Sequence, residues 1–184
     1  MAVSPTVRPQ AITLEVFYAY AARPENAGKT FEFVHGEIIE VSPGRTYHAE
    51  LPLRIAVAVS NFCTAQGIPV HFSGSDGAYL IDGHVVAPDF AYKRTPMSRD
   101  YPDPVAPLLA VEIISPTDEP PAVRNKRRLY QQAGILYWEV YPTEKSIDVY
   151  APGQPTRSLD PSGMLDGGSV LPGFSFPVKD LFAE

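Results

Sequence analysis

The chain has 184 residues, 45% of them hydrophobic, which favours one compact domain over residues 1–184 and excludes a long disordered polymer. No apolar run approaches the roughly 20 residues needed to cross a bilayer, and the single cysteine, Cys63, can form neither an internal disulfide nor a thiolate metal cage, so we expect a cytoplasmic protein with no membrane partner. The net charge of -6 argues against a surface that binds nucleic-acid phosphates, unless several of the acids bind divalent cations.

Two helices and a hairpin are predicted in the first part of the chain. Thr13 is a good N-cap for a short helix over "LEVFYAYAA". Residues 30–43 alternate in polarity and contain His35-Gly36, which predicts a β-hairpin that turns at this dipeptide. The segment "TYHAELPLRIAVAVSNFCTAQ" has apolar residues at helical spacing and is followed by Gly67, a typical C-terminal cap.

A second group of elements is predicted from residue 68 onward. Strands are expected at residues 68–73, 78–82, 85–93 and 108–115, and the long apolar runs of the last two indicate central strands covered on both faces. A helix is expected over residues 120–134, followed by two strands, "ILYWEVYP" and "SIDVYAP", joined by "TEK". This order predicts an α/β protein in which a mixed β-sheet is flanked by α-helices.

Three charged residues are predicted to face inward. Asp89 lies within "VVAPDFAY" and Glu112 within "LLAVEII", so each of the two most apolar strands carries one acid. At about 100° per residue, Lys126 lies on the apolar face of its helix. The residues that share this face are Ala122, Val123, Leu129, Tyr130 and Ala133. The other basic residues of "RNKRR" are expected to face solvent.

These three residues allow a structural and a catalytic interpretation. The structural one is a buried ion pair, or a lysine whose head reaches solvent along its own stem. The catalytic one is a metal site, because two acids on neighbouring strands repel each other unless a positive charge lies between them. Oxygen ligands without thiolates suit Mg²⁺ or Mn²⁺, and a nearby ammonium can orient water or neutralise developing charge. This combination is suited to phosphodiester hydrolysis.

The same residues carry a family resemblance. "APDFAY" followed by "VEIISPTDEPPAVRNKRRLYQQAGILYWEVYPTEKSIDVY" resembles the Uma-two restriction endonuclease family, which is part of the PD-(D/E)XK nuclease superfamily. The opening "ITLEVFYAY" and the closing "LPGFSFPVKDLF" also resemble that family, so the similarity spans nearly the whole chain.

The resemblance implies a restriction-endonuclease-like core and a set of site residues. Asp89 would be the acid of the "PD" element and Glu112 the acid of the "(D/E)XK" element, both as ligands of Mg²⁺ or Mn²⁺. Ile114 occupies the usual lysine position of that element, and Lys126 on the following helix would replace the lysine. The resemblance further implies DNA as the partner and, by analogy of fold, a homodimer whose two sites meet the two strands of a duplex. Trp138 and the tyrosines are expected mainly to fill the core, and "ILYWEVY" could pair strands across such a dimer.

Three further polar residues are similar to positions that such families bring near the metal. Glu37 or Glu40 in the hairpin could be an additional metal ligand, and His48 at the start of the second long helix could take part in catalysis. A solvent-facing acid, or a histidine that caps its neighbours, is the alternative for each.

The chain departs from the family pattern at four other positions. Ala122 replaces an acid four residues before the helix lysine, and Leu136, Tyr141 and His35 replace polar or acidic family residues. Neighbours of this kind tune metal sites. The alternative function is therefore a catalytically weak or inactive nuclease-fold module that binds nucleic acid or a protein. A hydrolase of another class, with His48 as the base, has no supporting nucleophile motif.

Overall fold

The computed structural model describes residues 12–41 and 45–183. Over these residues the α-helices are α1 (Leu14–Ala21), α2 (Thr46–Gln66), α3 (Pro120–Gln132) and α4 (Val178–Leu181). The strands are β1 (Thr30–Val34), β2 (Glu37–Val41), β3 (His71–Gly74), β4 (Tyr79–Ile81), β5 (His84–Val86), β6 (Phe90–Lys93), β7 (Leu109–Ile113), β8 (Leu136–Tyr141), β9 (Ser146–Tyr150), β10 (Arg157–Leu159), β11 (Met164–Gly167) and β12 (Leu171–Pro177). None of the helices in this described part is long and apolar enough to cross a membrane.

The strands form three sheets. One has four strands in the order β2-β1-β5-β4, one has six in the order β10-β9-β8-β7-β6-β3, and β11 and β12 form a separate pair. The β7–β8 pair is parallel, and its neighbours β6–β7 and β8–β9 are antiparallel. The parallel pair needs a crossover, and α3 provides it. The predicted mixed sheet with flanking helices is confirmed.

The predicted ends of the first two helices are confirmed by their caps. The Thr13 hydroxyl accepts a hydrogen bond from the Val16 N–H at 3.4 Å at the start of α1. Gly67 adopts a left-handed conformation with φ 65° and ends α2, because a residue without Cβ does so at low cost. The predicted hairpin turns at His35 and Gly36, which both have positive φ, as a two-residue hairpin turn requires. Residues 42 and 43 of the predicted hairpin lie outside the described residues.

The prediction of one strand over residues 85–93 is wrong. The chain pairs as β5 with β1 and β4, then passes Pro88 and enters the six-stranded sheet as β6. Proline has no N–H to donate to a ladder, which favours a break at this point. Asp89 therefore precedes β6 and does not lie inside a strand. It stands where the chain enters the six-stranded sheet, directly before the first residue of β6.

Strand β7 is covered on both faces, as its apolar run predicted. Val111 and Ile113 pack in the cluster that contains Leu51, Ile55 and other apolar residues of α2. Ala110 packs in a second cluster with Leu129 of α3. Since successive side chains alternate in a strand, Glu112 belongs to the α3 face together with Ala110.

The C-terminal part of the chain extends the core. The β11–β12 pair and α4 contribute Leu165, Leu171, Phe174 and Leu181 to the cluster around α2. Strand β8 is hydrogen-bonded to β7 on one side and to β9 on the other. The expectation that "ILYWEVY" pairs strands across a dimer is therefore wrong, because both edges of β8 are already paired within the chain.

Candidate active site

Asp89 is held at the end of the β6–β7 strand pair, directly before β6. The register pairs Phe90 with Val111, so the next step of the ladder sets Asp89 opposite Glu112. Its Oδ2 accepts a hydrogen bond from the Ile113 N–H at 2.7 Å, which fixes the carboxylate at the end of the strand pair. Asp89 keeps a partial exposure to solvent. The predicted approach of the two acids is therefore present.

Glu112 is buried on the α3 face of β7, with 8% of its surface exposed. Its Oε1 accepts hydrogen bonds from the Lys126 ammonium and from the Tyr130 hydroxyl, both at 3.1 Å. Lys126 and Tyr130 are four residues apart and thus share one face of α3. Among the described residues, the other carboxylate oxygen, Oε2, accepts no hydrogen bond. One side of Glu112 is anchored and the other is available for a ligand.

Lys126 bridges two carboxylates from different sheets. Its Nζ lies 3.1 Å from Oε1 of Glu112 and 2.8 Å from Oε1 of Glu32 on β1, and 19% of the side chain is exposed. Glu32 is itself buried at 3% exposure, and its Oε1 also accepts the Ala87 N–H at 2.9 Å. The helical-face prediction for Lys126 is confirmed in its direction: the lysine turns inward, toward the acids.

The electrostatics of the cluster reflect burial and crowding. Burial raises the pKa of Asp89 above its ordinary value, against the Ile113 N–H and Lys126, which lower it. Burial raises the pKa of Glu112 to about 8; Lys126 opposes this shift, and the charges of Asp89 and Glu32 add to it. Burial also disfavours the Lys126 ammonium, but Glu112 and Glu32 outweigh it and raise its pKa. The site therefore has more negative groups than one ammonium balances.

A second buried carboxylate lies directly beside Glu112. Glu139 on β8 is paired in register with Glu112 and has 0% exposure. Arg127 donates to both of its oxygens, from Nε at 2.8 Å and from Nη2 at 2.6 Å. The expectation that Arg127 faces solvent is therefore wrong: the position about 100° from Lys126 still reaches the sheet because the guanidinium stem is long. The hydroxyls of Tyr141 and Tyr150 also donate to Glu139, at 2.7 and 3.2 Å.

The remaining candidates lie apart from this cluster. Glu37 is exposed at the start of β2, and Glu40 forms an exposed ion pair with Lys29 at 3.2 Å. His48 is on α2, which covers the opposite face of the six-stranded sheet from α3. Within residues 12–41 and 45–183, no hydrogen bond or ion pair joins Glu37 or His48 to Glu112. Their roles in metal binding and catalysis stay predictions.

The donor set is limited as a metal site. No group of three or more histidine, cysteine or acidic side chains is arranged to hold a metal ion in the part of the chain that the structure describes. Asp89 and Glu112 supply two hard carboxylates, and Mg²⁺ commonly binds through one or two carboxylates while keeping several waters. The residues present fit a cation of this kind, with water completing its coordination.

Two surface cavities lie away from the Glu112–Lys126 pair. One, of about 390 Å³, is lined by residues of α2 together with Asp180. The other, of about 250 Å³, is lined by Tyr101, Asp76 and the segment around Gly28, next to the strand that carries Glu32. Neither of these two cavities contains Asp89, Glu112 or Lys126 in its lining.

Two residues of the cluster were not identified from the sequence. Glu32 stands in "TFEFV", where Phe31 and Phe33 face α1 and Val34 indicates that the opposite face is buried as well. An acid on that face is the same signal that identified Glu112. Tyr130 was assigned to the apolar face of α3, and its spacing of four residues from Lys126 was the available indication of a shared partner.

Comparisons with known proteins identify the family and the fold. A family model described as "Putative restriction endonuclease", Uma2, matches residues 14–179. A solved structure described as a "putative nuclease belonging to DUF820", from Anabaena variabilis, is similar with a TM-score of 0.76 and 22% sequence identity, over 93% of this chain and 97% of that chain. The comparison with curated proteins found no match. Because the family model covers most of the chain, the protein belongs to the Uma2 family.

Proposed function

We propose that this protein hydrolyses phosphodiester bonds in DNA with the help of Mg²⁺ or Mn²⁺. The observation that carries the proposal is the convergence of Asp89, which directly precedes β6, and Glu112 of the adjacent strand β7, with the Lys126 ammonium beside them. The charges of Asp89 and Glu32 raise the pKa of Glu112, and a divalent cation would relieve that repulsion. The protein belongs to a family described as restriction endonucleases, which supports the same activity. The similarity to a protein described as a nuclease supports it as well.

Asp89 and Glu112 would hold the cation through the oxygens that they do not use for internal hydrogen bonds. When bound, such a cation polarises a phosphoryl oxygen and makes a coordinated water a better nucleophile. The chain's own residues prepare this arrangement: the Ile113 N–H orients Asp89, and the Tyr130 hydroxyl orients Glu112.

Lys126 is the residue that would act on the reacting phosphate. Its ammonium stays protonated because the two flanking carboxylates raise its pKa. A fixed positive charge beside the scissile group stabilises the negative charge that develops on the phosphoryl oxygens, or it orients the attacking water. Glu32 positions the ammonium from the opposite side to Glu112.

A catalytically inactive nuclease-fold module is the second candidate. The observation that favours it is the donor count, since no cluster of three metal-binding side chains occurs in the described residues. In that case Lys126 would serve only to neutralise Glu32 and Glu112, and the protein would bind nucleic acid or a protein partner without cleaving it.

A homodimer would place two sites on a duplex, and its interface would lie away from β8.

Cleavage assays decide between these functions. Supercoiled plasmid and single-stranded DNA are incubated with the protein in Mg²⁺ and in Mn²⁺, together with Glu112→Gln, which keeps the size of the side chain but not its charge. Glu144→Gln, an exposed acid in the β8–β9 turn, is the matched control. We expect cleavage by the wild type and the control and none by Glu112→Gln. Equal cleavage by all three proteins, or no cleavage by any, contradicts the proposed activity.

Calorimetric titration with Mn²⁺ tests the ligands separately from turnover. We expect binding that Asp89→Ala abolishes. Glu37→Gln shows whether the hairpin acid takes part, since it weakens Mn²⁺ binding only if Glu37 is a third ligand. A protein that binds no Mn²⁺ is the inactive scaffold.

A further inference from the structure

Two of the buried carboxylates, Glu112 and Glu139, pair with two consecutive cations of α3. Glu112 and Glu139 are direct partners in the parallel register of β7 and β8. Lys126 and Arg127 are consecutive on α3 and meet Glu112 and Glu139 respectively. One helix thus docks on two adjacent strands through two neighbouring ion pairs.

The two pairs differ in how firmly they fix the helix. Arg127 is a planar fork whose Nε and Nη2 meet the two oxygens of Glu139 at 2.8 and 2.6 Å, which sets both distance and orientation. Its guanidinium also lies 5.0 Å from the ring centroid of Tyr150. Lysine is a point charge on a flexible stem, so the direction of its ammonium depends on where the helix places its Cα.

The start of α3 adds little to this docking. Glu119 is the N-cap residue and makes no side-chain capping hydrogen bond, and residues 119–121 are exposed. Further along the helix, Tyr130 packs on Tyr137 with ring centroids 4.7 Å apart. The ring centroid of Tyr137 in turn lies 5.7 Å from that of Tyr150. These three tyrosines connect the two carboxylates, because the Tyr130 hydroxyl donates to Glu112 and the Tyr150 hydroxyl donates to Glu139.

We infer that Arg127 and Glu139 are positioning residues that set the location of the Lys126 ammonium between Glu32 and Glu112. This inference rests on the proposed function, in which Lys126 acts on the phosphate. It requires no contact between Arg127 and the substrate, because the pair fixes how α3 is rotated about its axis and how far it lies from the sheet.

The test replaces both partners by apolar side chains, Arg127→Met with Glu139→Leu. Substituting apolar residues for a whole buried ion pair commonly leaves a protein folded, so the double variant separates positioning from folding. The control is Arg157→Met with Asp166→Leu, an ion pair of 2.7 Å whose side chains are 39% and 41% exposed. Thermal unfolding first verifies that both double variants fold.

Three readouts are then compared. We expect kcat on a single-stranded oligonucleotide in Mn²⁺ to fall about 100-fold in the Arg127/Glu139 variant, since a misplaced group is costly to catalysis, with unchanged Mn²⁺ affinity. The NMR resonance of the Lys126 ammonium, assigned by its absence in Lys126→Met, should broaden or vanish in that variant and persist in the control. A folded variant with wild-type kcat and an unchanged ammonium resonance overturns the inference.

Two further arms keep the outcomes separate. If the double variant does not fold, Glu139→Gln retains the volume and one hydrogen bond to Arg127, and we expect about a tenfold lower kcat with a shifted ammonium resonance. An unchanged resonance and kcat in Glu139→Gln count against the positioning role. If the wild type does not cleave DNA, the proposed function fails and the ammonium resonance alone decides the inference.

Discussion

Glu112 and Glu139 occupy equivalent places in the sheet and have different surroundings. Both are buried, on the same face of adjacent strands, beneath the same helix. Glu139 has hydrogen bonds to both oxygens, from Arg127 and two tyrosines, and no exposed surface. Glu112 has both of its bonds on Oε1 and lies beside another acid. The two carboxylates therefore differ in their free hydrogen-bonding capacity: Oε2 of Glu112 accepts no hydrogen bond within the described residues, and for this reason Glu112, and not Glu139, is the proposed metal ligand.

The cations repeat this difference. Arg127 forms a bidentate pair, which suits a closed structural contact. Lys126 places one ammonium between two carboxylates, 2.8 Å from Oε1 of Glu32 and 3.1 Å from Oε1 of Glu112, and a lysine ammonium cannot form the planar bidentate contact of an arginine. The two clusters can therefore be compared by experiment: loss of Arg127 should lower stability most and should affect cleavage only through the position of Lys126, whereas loss of Lys126 should affect cleavage directly.

The largest expected effect is on stability, in Arg127→Met. This variant leaves Glu139 buried without its cation, which should lower the free energy of unfolding by about 3–5 kcal/mol. The matched variant Glu139→Leu should cost less, because Arg127 is already 27% exposed and can turn to solvent. Urea denaturation measures both. An equal loss of unfolding free energy in the two variants would contradict the conclusion that Glu139 is the more deeply buried partner of the pair.

Lys126→Met is expected to affect activity most. Loss of one charge that stabilises the transition state should reduce cleavage about 10²- to 10³-fold. Plasmid cleavage rates in Mn²⁺ measure the change, and the exposed Lys145→Met is the control. Wild-type cleavage by Lys126→Met would remove the distinction between the two clusters.

A third buried ion pair provides a reference away from both carboxylates. Lys93 lies 2.6 Å from Asp103, which also accepts the Ser98 and Val105 N–H groups. Burial opposes ionisation of Asp103, but Lys93 and these N–H groups outweigh it and lower its pKa. Its contribution to stability is therefore complete above the unfolded pKa of about 4 and is lost as the pH falls through the lower folded value.

Asp103→Asn should accordingly lower the free energy of unfolding by about 3 kcal/mol at pH 7, because Lys93 is left buried and unpaired. The difference from the wild type should shrink as the pH falls below about 4. Chemical denaturation across this pH range gives the comparison, and a difference that stays constant down to about pH 2 would contradict the role of the ionised carboxylate.

The smallest expected effect comes from single hydroxyls. Tyr130→Phe and Tyr141→Phe each remove one hydrogen bond to a buried carboxylate and should each cost about 1 kcal/mol of stability. Tyr130→Phe should also slow cleavage, since it loosens Glu112, and Tyr141→Phe should change the rate less. Equal rates in the two variants would indicate that the Tyr130 hydroxyl does not orient the site.

The sequence predicted those parts of the fold that local signals specify. The ends of α2 and α3, the hairpin turn at His35 and the central position of β7 follow from caps, positive φ and apolar runs. The break at Pro88 was missed because the apolar run continues through it, and the change of sheet depends on partners that are distant in the sequence. The strands β10, β11 and β12 were not predicted, because their short, mixed patterns carry little periodicity.

The candidate site was predicted where the charge contrasted with its surroundings. Asp89 and Glu112 each interrupt an apolar run, and Lys126 lies on the apolar face of a helix that is otherwise rich in basic residues. Glu32 was not identified: its position on a buried face of β1 was a local signal, but its partner Lys126 lies on α3, and no local pattern connects these two distant parts of the chain. Arg127 was assigned to solvent because angle alone does not account for the reach of a long side chain.

The bridge from Glu32 to Lys126 also bears on how the protein is made. The members of the cluster follow one another along the chain as Glu32, Asp89, Glu112 and finally Lys126, so the ammonium is the last of them to leave the ribosome. A nascent chain that ends before α3 has three acids and no cation among these four residues. The four charged groups are therefore brought together only after α3 has been synthesised and has docked, and an unfinished chain should lack the proposed activity on nucleic acid.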